Sequence, residues 1–201
     1  MRSKLNRKLN RLSGYDYSSA GVYFVTFCVH PRLRNERILG DIANEEMILN
    51  WRGGLARQYW ERIPEHYPNV KLDKYCIMPD HIHGIICIID MDDGETRCIE
   101  GVKQQRAVGT EQCSVPTARD KQRIKQSYGS PDNHISRYGT LSKIIKSFKN
   151  CVTSQIRKID NDYFGWQRSF YERIVRNETE LDLIRLYIIN NSKNVENWGS
   201  M

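Results

Sequence analysis

Residues 77–89 read Ile77-Met-Pro-Asp-His-Ile-His-Gly-Ile-Ile-Cys-Ile-Ile89, an almost wholly apolar run entered through two histidines two residues apart. Its β-branched content and the Pro79-Asp80 break in front of it predict a strand over about 82–89. Alternate side chains of a strand share a face, so His81 and His83 project side by side while Ile82 points the other way. Two neutral imidazoles placed so can chelate one divalent ion. They can equally cap a strand end through backbone hydrogen bonds, and the H-x-H spacing alone does not choose between the two.

Working outward, residues 71–78 predict a second strand joined to the first through Pro79-Asp80. Val22-Tyr-Phe-Val-Thr-Phe-Cys-Val29, bounded by Gly21 and Pro31, predicts a third. Residues 38–41 and 47–49 flank a polar turn and read as a hairpin. Trp51, Leu55, Tyr59 and Ile63 then recur at helical spacing until Pro64 stops the segment, which predicts a helix over roughly 50–63. After Gly139-Thr140, the residues Leu141, Ile144, Ile145, Phe148, Cys151, Val152, Ile156 and Ile159 mark an amphipathic helix. Lys143, Lys146, Lys149 and Arg157 occupy its other faces, a stripe that suits phosphate contact or simple solvation. Residues 166–175 read as a short extended segment. Asn177, with Glu180 three residues on, reads as a helix start, and Leu181, Ile184 and Ile188 carry that helix to about Asn191. This order of elements predicts an α+β fold, an antiparallel sheet covered by helices.

The 201 residues suffice for one domain with a real core, and the formal charge of +7 points to a polyanionic partner. The domain is expected over 14–191, with a basic arm at 1–13, a polar and disordered insertion at 91–138, and a tail at 192–201. No apolar run approaches the ~20 residues that span a bilayer, and no hydrophobic leader precedes residue 21, so a cytoplasmic protein with no membrane partner is expected. Six cysteines lack any C-x-x-C pair, which argues against a zinc knuckle. Cys28, Cys76 and Cys87 read as small core residues.

A two-histidine site wants a third ligand and leaves room for substrate oxygens. On the last helix Tyr187 and Asn191 are four residues apart and therefore neighbours. An Asn191 amide oxygen would complete the site and place the Tyr187 phenol beside the ion. Tyrosine, with an ordinary pKa of roughly 10, becomes a competent nucleophile when a cation stabilises its phenolate. A buried aromatic and a helix-stopping Asn remain the alternative.

The His81-Ile-His83 strand, Trp166-Gln-Arg-Ser-Phe-Tyr-Glu-Arg-Ile-Val-Arg-Asn177 and Tyr187-Ile-Ile-Asn-Asn191 together resemble the HUH single-tyrosine transposases, specifically their REP-associated branch. Gly14-Tyr-Asp-Tyr17, Tyr23-Phe-Val-Thr26, Asn69-Val-Lys-Leu-Asp73 and Ser147-Phe-Lys149 are similar to that branch as well, in the family's order. The resemblance implies a ferredoxin-like antiparallel sheet with helices on one face, the HUH endonuclease fold. It also implies a Mg²⁺ or Mn²⁺ ion on His81 and His83, Asn191 as third ligand, and Tyr187 attacking single-stranded DNA through a 5′-phosphotyrosine. Similar proteins bind hairpins or palindromic repeats, as monomer or homodimer. The corresponding DNA contacts here would be Arg2, Lys4, Arg7, Lys8, Arg11, Lys143, Lys146, Lys149, Trp166 and Arg168. The rival expectation is a domesticated hairpin-binding protein of reduced activity. Three positions depart from the family: Asn191 stands for Gln, Ser192 for Pro, and Arg173 for a His.

Overall fold

The strand Gly21–Cys28 (β1) supplies the axis of the structure, because it pairs on both edges. The computed structural model describes residues 16–90, 139–160 and 163–193. The expected arm at 1–13, the insertion at 91–138 and all of the tail beyond Lys193 lie outside these residues. After β1 comes a 3-10 turn at Pro31–Glu36, then a separate hairpin of Gly40–Ala43 (β2) and Glu46–Leu49 (β3). Helix Trp51–Glu61 (α1) and a single turn Ile63–His66 (α2) lead to Val70–Ile77 (β4) and His81–Ile88 (β5). Helix Thr140–Ile159 (α3), strand Tyr171–Val175 (β6) and helix Glu178–Ile189 (α4) complete the order.

The main sheet runs β4-β5-β1-β6, and every pairing is antiparallel. Its four strands alternate with α1 and α3 as β-α-β-β-α-β, the ferredoxin-like arrangement. The β2–β3 hairpin is inserted before α1, and α4 is added at the end.

Strand alternation divides the molecule into two cores. Tyr23, Val25 and Phe27 from β1, with Ile82, Ile86 and Ile88 from β5, face α1 and α3. Val22 and Phe24 from β1, with Ile85 and Cys87 from β5 and Val175 from β6, face Leu181, Ile184 and Ile188 of α4. The helices therefore cover both faces, not one. The reason is local: α4 follows β6 directly, and its narrow apolar stripe finds the only sheet face that α1 and α3 leave open. Burying three aliphatic side chains at about 2 kcal/mol each gives a 12-residue helix the support that its own backbone bonds do not.

Several boundaries differ from the expected ones. The first helix ends at Glu61, and Pro64 sits inside the first turn of α2, where its missing N–H costs nothing. Only residues 171–175 of the 166–175 segment form a strand, while Trp166 makes a single bridge to Val29. At α4, the Asn177 side chain accepts from the Glu180 N–H at 2.8 Å, and the Glu180 carboxylate accepts from the Arg176 N–H at 3.0 Å. The capping signal thus sets the start of the helix that carries Tyr187. Of the cysteines expected in the core, Cys87 is buried, and Cys28 and Cys76 are half-buried.

Candidate functional site

His81 opens β5 and His83 follows on the same face, the one that α4 covers. Gly84 lies between His83 and Ile85, and a Cβ there would fall 2.3 Å from Trp60 Cζ2. Glycine therefore lets the Trp60 ring approach the strand closely, on the face opposite the histidine pair.

The two imidazole centroids are 4.6 Å apart with their planes at 78°. Each ring is held at Nδ1. Asp80 Oδ1 is 2.6 Å from His81 Nδ1, and Thr26 Oγ1 is 2.7 Å from His83 Nδ1. Thr26 reaches His83 because β1 and β5 place them directly opposite each other. An imidazole engaged at Nδ1 offers Nε2 as its other nitrogen, the arrangement in which a carboxylate or hydroxyl orients a metal-binding histidine. Phe24 stacks on His83 at 5.7 Å with 17° between planes, which fixes the second ring further.

Tyr187, in the last turn of α4, enters this group. Its hydroxyl is 3.2 Å from His83 Nε2, and its ring meets His83 and Phe24 edge-on. The residue is 42% exposed, so part of its side chain faces solvent. With Nδ1–H donated to Thr26, Nε2 accepts the phenol O–H; the reverse tautomer donates from Nε2 to the phenol oxygen.

Electrostatics distinguishes the two histidines' surroundings. Burial, followed by the nearby charge of His81, pushes the His83 pKa down to about 3, against an opposing pull from Asp80. His83 is therefore a neutral ring that accepts a hydrogen bond or ligates an ion but does not retain a proton. Burial works to raise Asp80, yet the hydrogen bond and charge of His81 outweigh it and hold the carboxyl below its ordinary value. A dependable anion thus sits behind His81.

The donor set fits a divalent ion: two imidazoles side by side, each oriented through Nδ1, with room for oxygen ligands. Among the described residues no group of three or more His, Cys, Asp or Glu side chains gathers, so further donors there would be amide, hydroxyl or substrate oxygens. Asn191 is buried just beyond the helix end, where its N–H donates to Ile188 O at 3.3 Å. From α4, the Tyr187 side chain touches His83.

The expected DNA contacts divide. Arg2, Lys4, Arg7, Lys8 and Arg11 lie outside the described residues. Lys143 and Lys146 are exposed, but on α3, behind the sheet from the histidines. Lys149 is not on that outer face at all. It is buried, donates to the carbonyls of Gln167 and Ser169 at 3.0 and 3.1 Å, and lies over the rings of Phe27 and Phe170. Trp166 is likewise buried, wedged among Phe27, Phe148 and Phe164, so it offers no stacking platform. Arg168 is exposed beside Gln167, whose side chain accepts from Arg34.

Arg34, which the sequence reading passed over, also interacts with Cys28 and Asp80 and so brings a cation to the His81 end of the site. Nothing in its local sequence marks it. Thr26 and Asp80 were missed too, although Asp80 directly precedes the H-x-H and Thr26 alternates with Val22 and Phe24. Arg173 pairs with Glu180 at 2.6 Å, tying β6 to the first turn of α4.

Among the described residues, no helix is long and apolar enough to cross a membrane. No family model matches the chain. An uncharacterized protein of Haemophilus influenzae is 34% identical over 186 residues, which cover 92% of this chain and 88% of that protein. Among solved structures, the chain is similar to a REP-associated tyrosine transposase bound to a REP hairpin. That match has 15% identity and a TM-score of 0.44, covering 98% of this chain and 76% of that one.

Proposed function

We propose that this chain, which belongs to the same family as the Haemophilus influenzae protein, is a metal-dependent nicking and joining enzyme for single-stranded DNA with Tyr187 as its nucleophile. The observation that supports this reading most is the 3.2 Å contact between the Tyr187 hydroxyl and His83 Nε2, with the His81 ring alongside. A tyrosine that merely packs the end of a helix has no reason to bring its hydroxyl to a neutral, oriented imidazole while keeping much of its surface exposed. The sequence resemblance supplies the substrate class, DNA bearing a hairpin or palindromic repeat, and the charge of +7 accords with it.

In this reading His81 and His83 would hold the ion, Asp80 and Thr26 would keep both rings oriented through Nδ1, and Asn191 is the candidate third donor. Two nitrogen donors suit Mn²⁺ better than the oxygen-seeking Mg²⁺. A bound ion would supply Lewis-acid chemistry there, drawing charge from the scissile phosphate and favouring the phenolate form of Tyr187. The Tyr187 oxygen forms a bond to phosphorus as the bond to the 3′ oxygen breaks. The phenol gives up its proton, and one proton ends on the departing 3′-hydroxyl. The phosphotyrosine keeps the phosphodiester's bond energy, so a second 3′-hydroxyl rejoins the strand by the same step in reverse. Arg34, which interacts with Asp80 beside His81, would hold a neighbouring phosphate, and the exposed Arg168 would add a second cation.

The test is incubation of the protein with hairpin-bearing single-stranded DNA and Mn²⁺, followed by denaturing electrophoresis. A covalent protein–DNA adduct that Tyr187→Phe abolishes is the expected result. Cleavage that survives Tyr187→Phe, or hairpin binding by the wild type with no adduct, overturns the assignment, the latter in favour of a binding protein.

A further inference from the structure

At 3.6 residues per turn, Arg185 and Tyr187 leave α4 on opposite flanks of the stripe formed by Leu181, Ile184 and Ile188. Tyr187 hangs over the histidine pair on one flank. On the other, Arg185 reaches the edge strand β4, where its Nε and Nη2 donate to Asp73 Oδ2 at 2.8 and 2.7 Å. The second Asp73 oxygen accepts the Lys74 N–H at 2.8 Å, and Arg185 Nη1 donates to Asp182 at 2.9 Å. The Asp73 side chain is only 3% exposed.

The strand is built for this contact. Leu72 pairs with Ile86 and Tyr75 with Gly84, so Asp73 and Lys74 together oppose the single residue Ile85. That is a β-bulge, a device that re-aims a side chain, and Ile85 belongs to the face on which α4 packs. Aliphatic contacts beneath a helix are non-directional and tolerate a roll about its axis. A carboxylate with both oxygens engaged does not.

We infer that the Asp73–Arg185 pair is the positioning element that sets the rotation of α4 and thereby the place of the Tyr187 hydroxyl at His83. A tyrosine hydroxyl stands about 8 Å from the helix axis, so a roll of about 10° displaces it by more than 1 Å. A displacement of that size in a reacting atom costs on the order of a hundredfold in rate. The kinetic half of this inference rests on the proposed nucleophile; the geometric half does not.

Two variants test it. Asp73→Asn weakens the tie, and the double variant Asp73→Leu/Arg185→Leu removes it without stranding a buried charge. The first readout needs neither DNA nor metal: ¹⁹F NMR of protein labelled with 3-fluorotyrosine, with the Tyr187 signal assigned by its loss in Tyr187→Phe. Both variants are expected to shift or broaden that signal while other tyrosine signals and the melting temperature of the double variant hold. In the adduct assay they are expected to lose ten- to a hundredfold in kcat with little change in KM for DNA. An unmoved Tyr187 signal with unchanged kcat overturns the inference and leaves the nucleophile standing. A moved signal in a protein whose wild type forms no adduct supports the positioning role and overturns the nucleophile.

Discussion

Acidification tests the environment of His83 directly. In the unfolded chain its imidazole titrates at the ordinary 6.5, whereas in the folded protein burial and the neighbouring His81 hold it down to about 3. Between these values the unfolded state binds a proton that the folded state refuses, so stability falls as pH drops below 6.5 and levels off near 3. At pH 4.5 the loss from this one group is about 3 kcal/mol, a large share of the stability of a domain this size. The depressed carboxyls do not confuse the window. Asp80 and Glu180 lie below ordinary values of 3.8 and 4.5, so their contributions vanish only as pH falls further. Urea unfolding of wild type and His83→Gln at intervals from pH 7 to 4.5 isolates the effect, because glutamine removes the titration while keeping a polar group opposite Thr26. The advantage of wild type over the variant should shrink by about 3 kcal/mol across that range. A difference that stays constant with pH refutes the account of a ring kept neutral by its burial. With it would go the argument that Nε2 stands ready as an acceptor at every physiological pH.

Three further outcomes follow from particular contacts. Tyr187→Phe removes the phenol from His83 Nε2, the nitrogen an ion would use. Calorimetric titration with Mn²⁺ should therefore show about two- to tenfold tighter binding in the variant, the worth of one hydrogen bond; equal affinity would mean the two do not compete. Gly84→Ala drives a methyl group into the Trp60 ring, and a loss of about 1–3 kcal/mol is expected from urea unfolding, against no change if the ring has room to retreat. Lys149, buried and held down to about 8, makes the wild type gain stability from pH 8 to 10.5, as the unfolded chain then carries the extra proton. Lys149→Met should lack that gain, and an identical pH profile in the two proteins would show that the amine is solvated.

Much of this protein follows from sequence alone, because strand and helix periods are local properties. The alternation in 22–28 and 82–88 assigned each side chain to a face before any partner was known, and it placed His81 and His83 together. The Asn177–Glu180 signal started α4 at the right residue for the same reason: a cap is satisfied within one turn. What a period does not carry is what lies across the face it defines. Lys149 looked like one more cation on an amphipathic helix, yet it is buried against carbonyls of the segment leading into β6. Trp166 looked like a base-stacking ring and is part of the aromatic core. Thr26 and Asp73 had no legible role until strand order put one opposite His83 and a bulge gave the other to Arg185. Lys143 and Lys146 turned out to lie behind the sheet from the histidines, a matter of which face each helix covers. Those facts depend on pairings between residues tens of positions apart, chosen by packing the whole set of apolar surfaces at once, and so only the tertiary structure decided them.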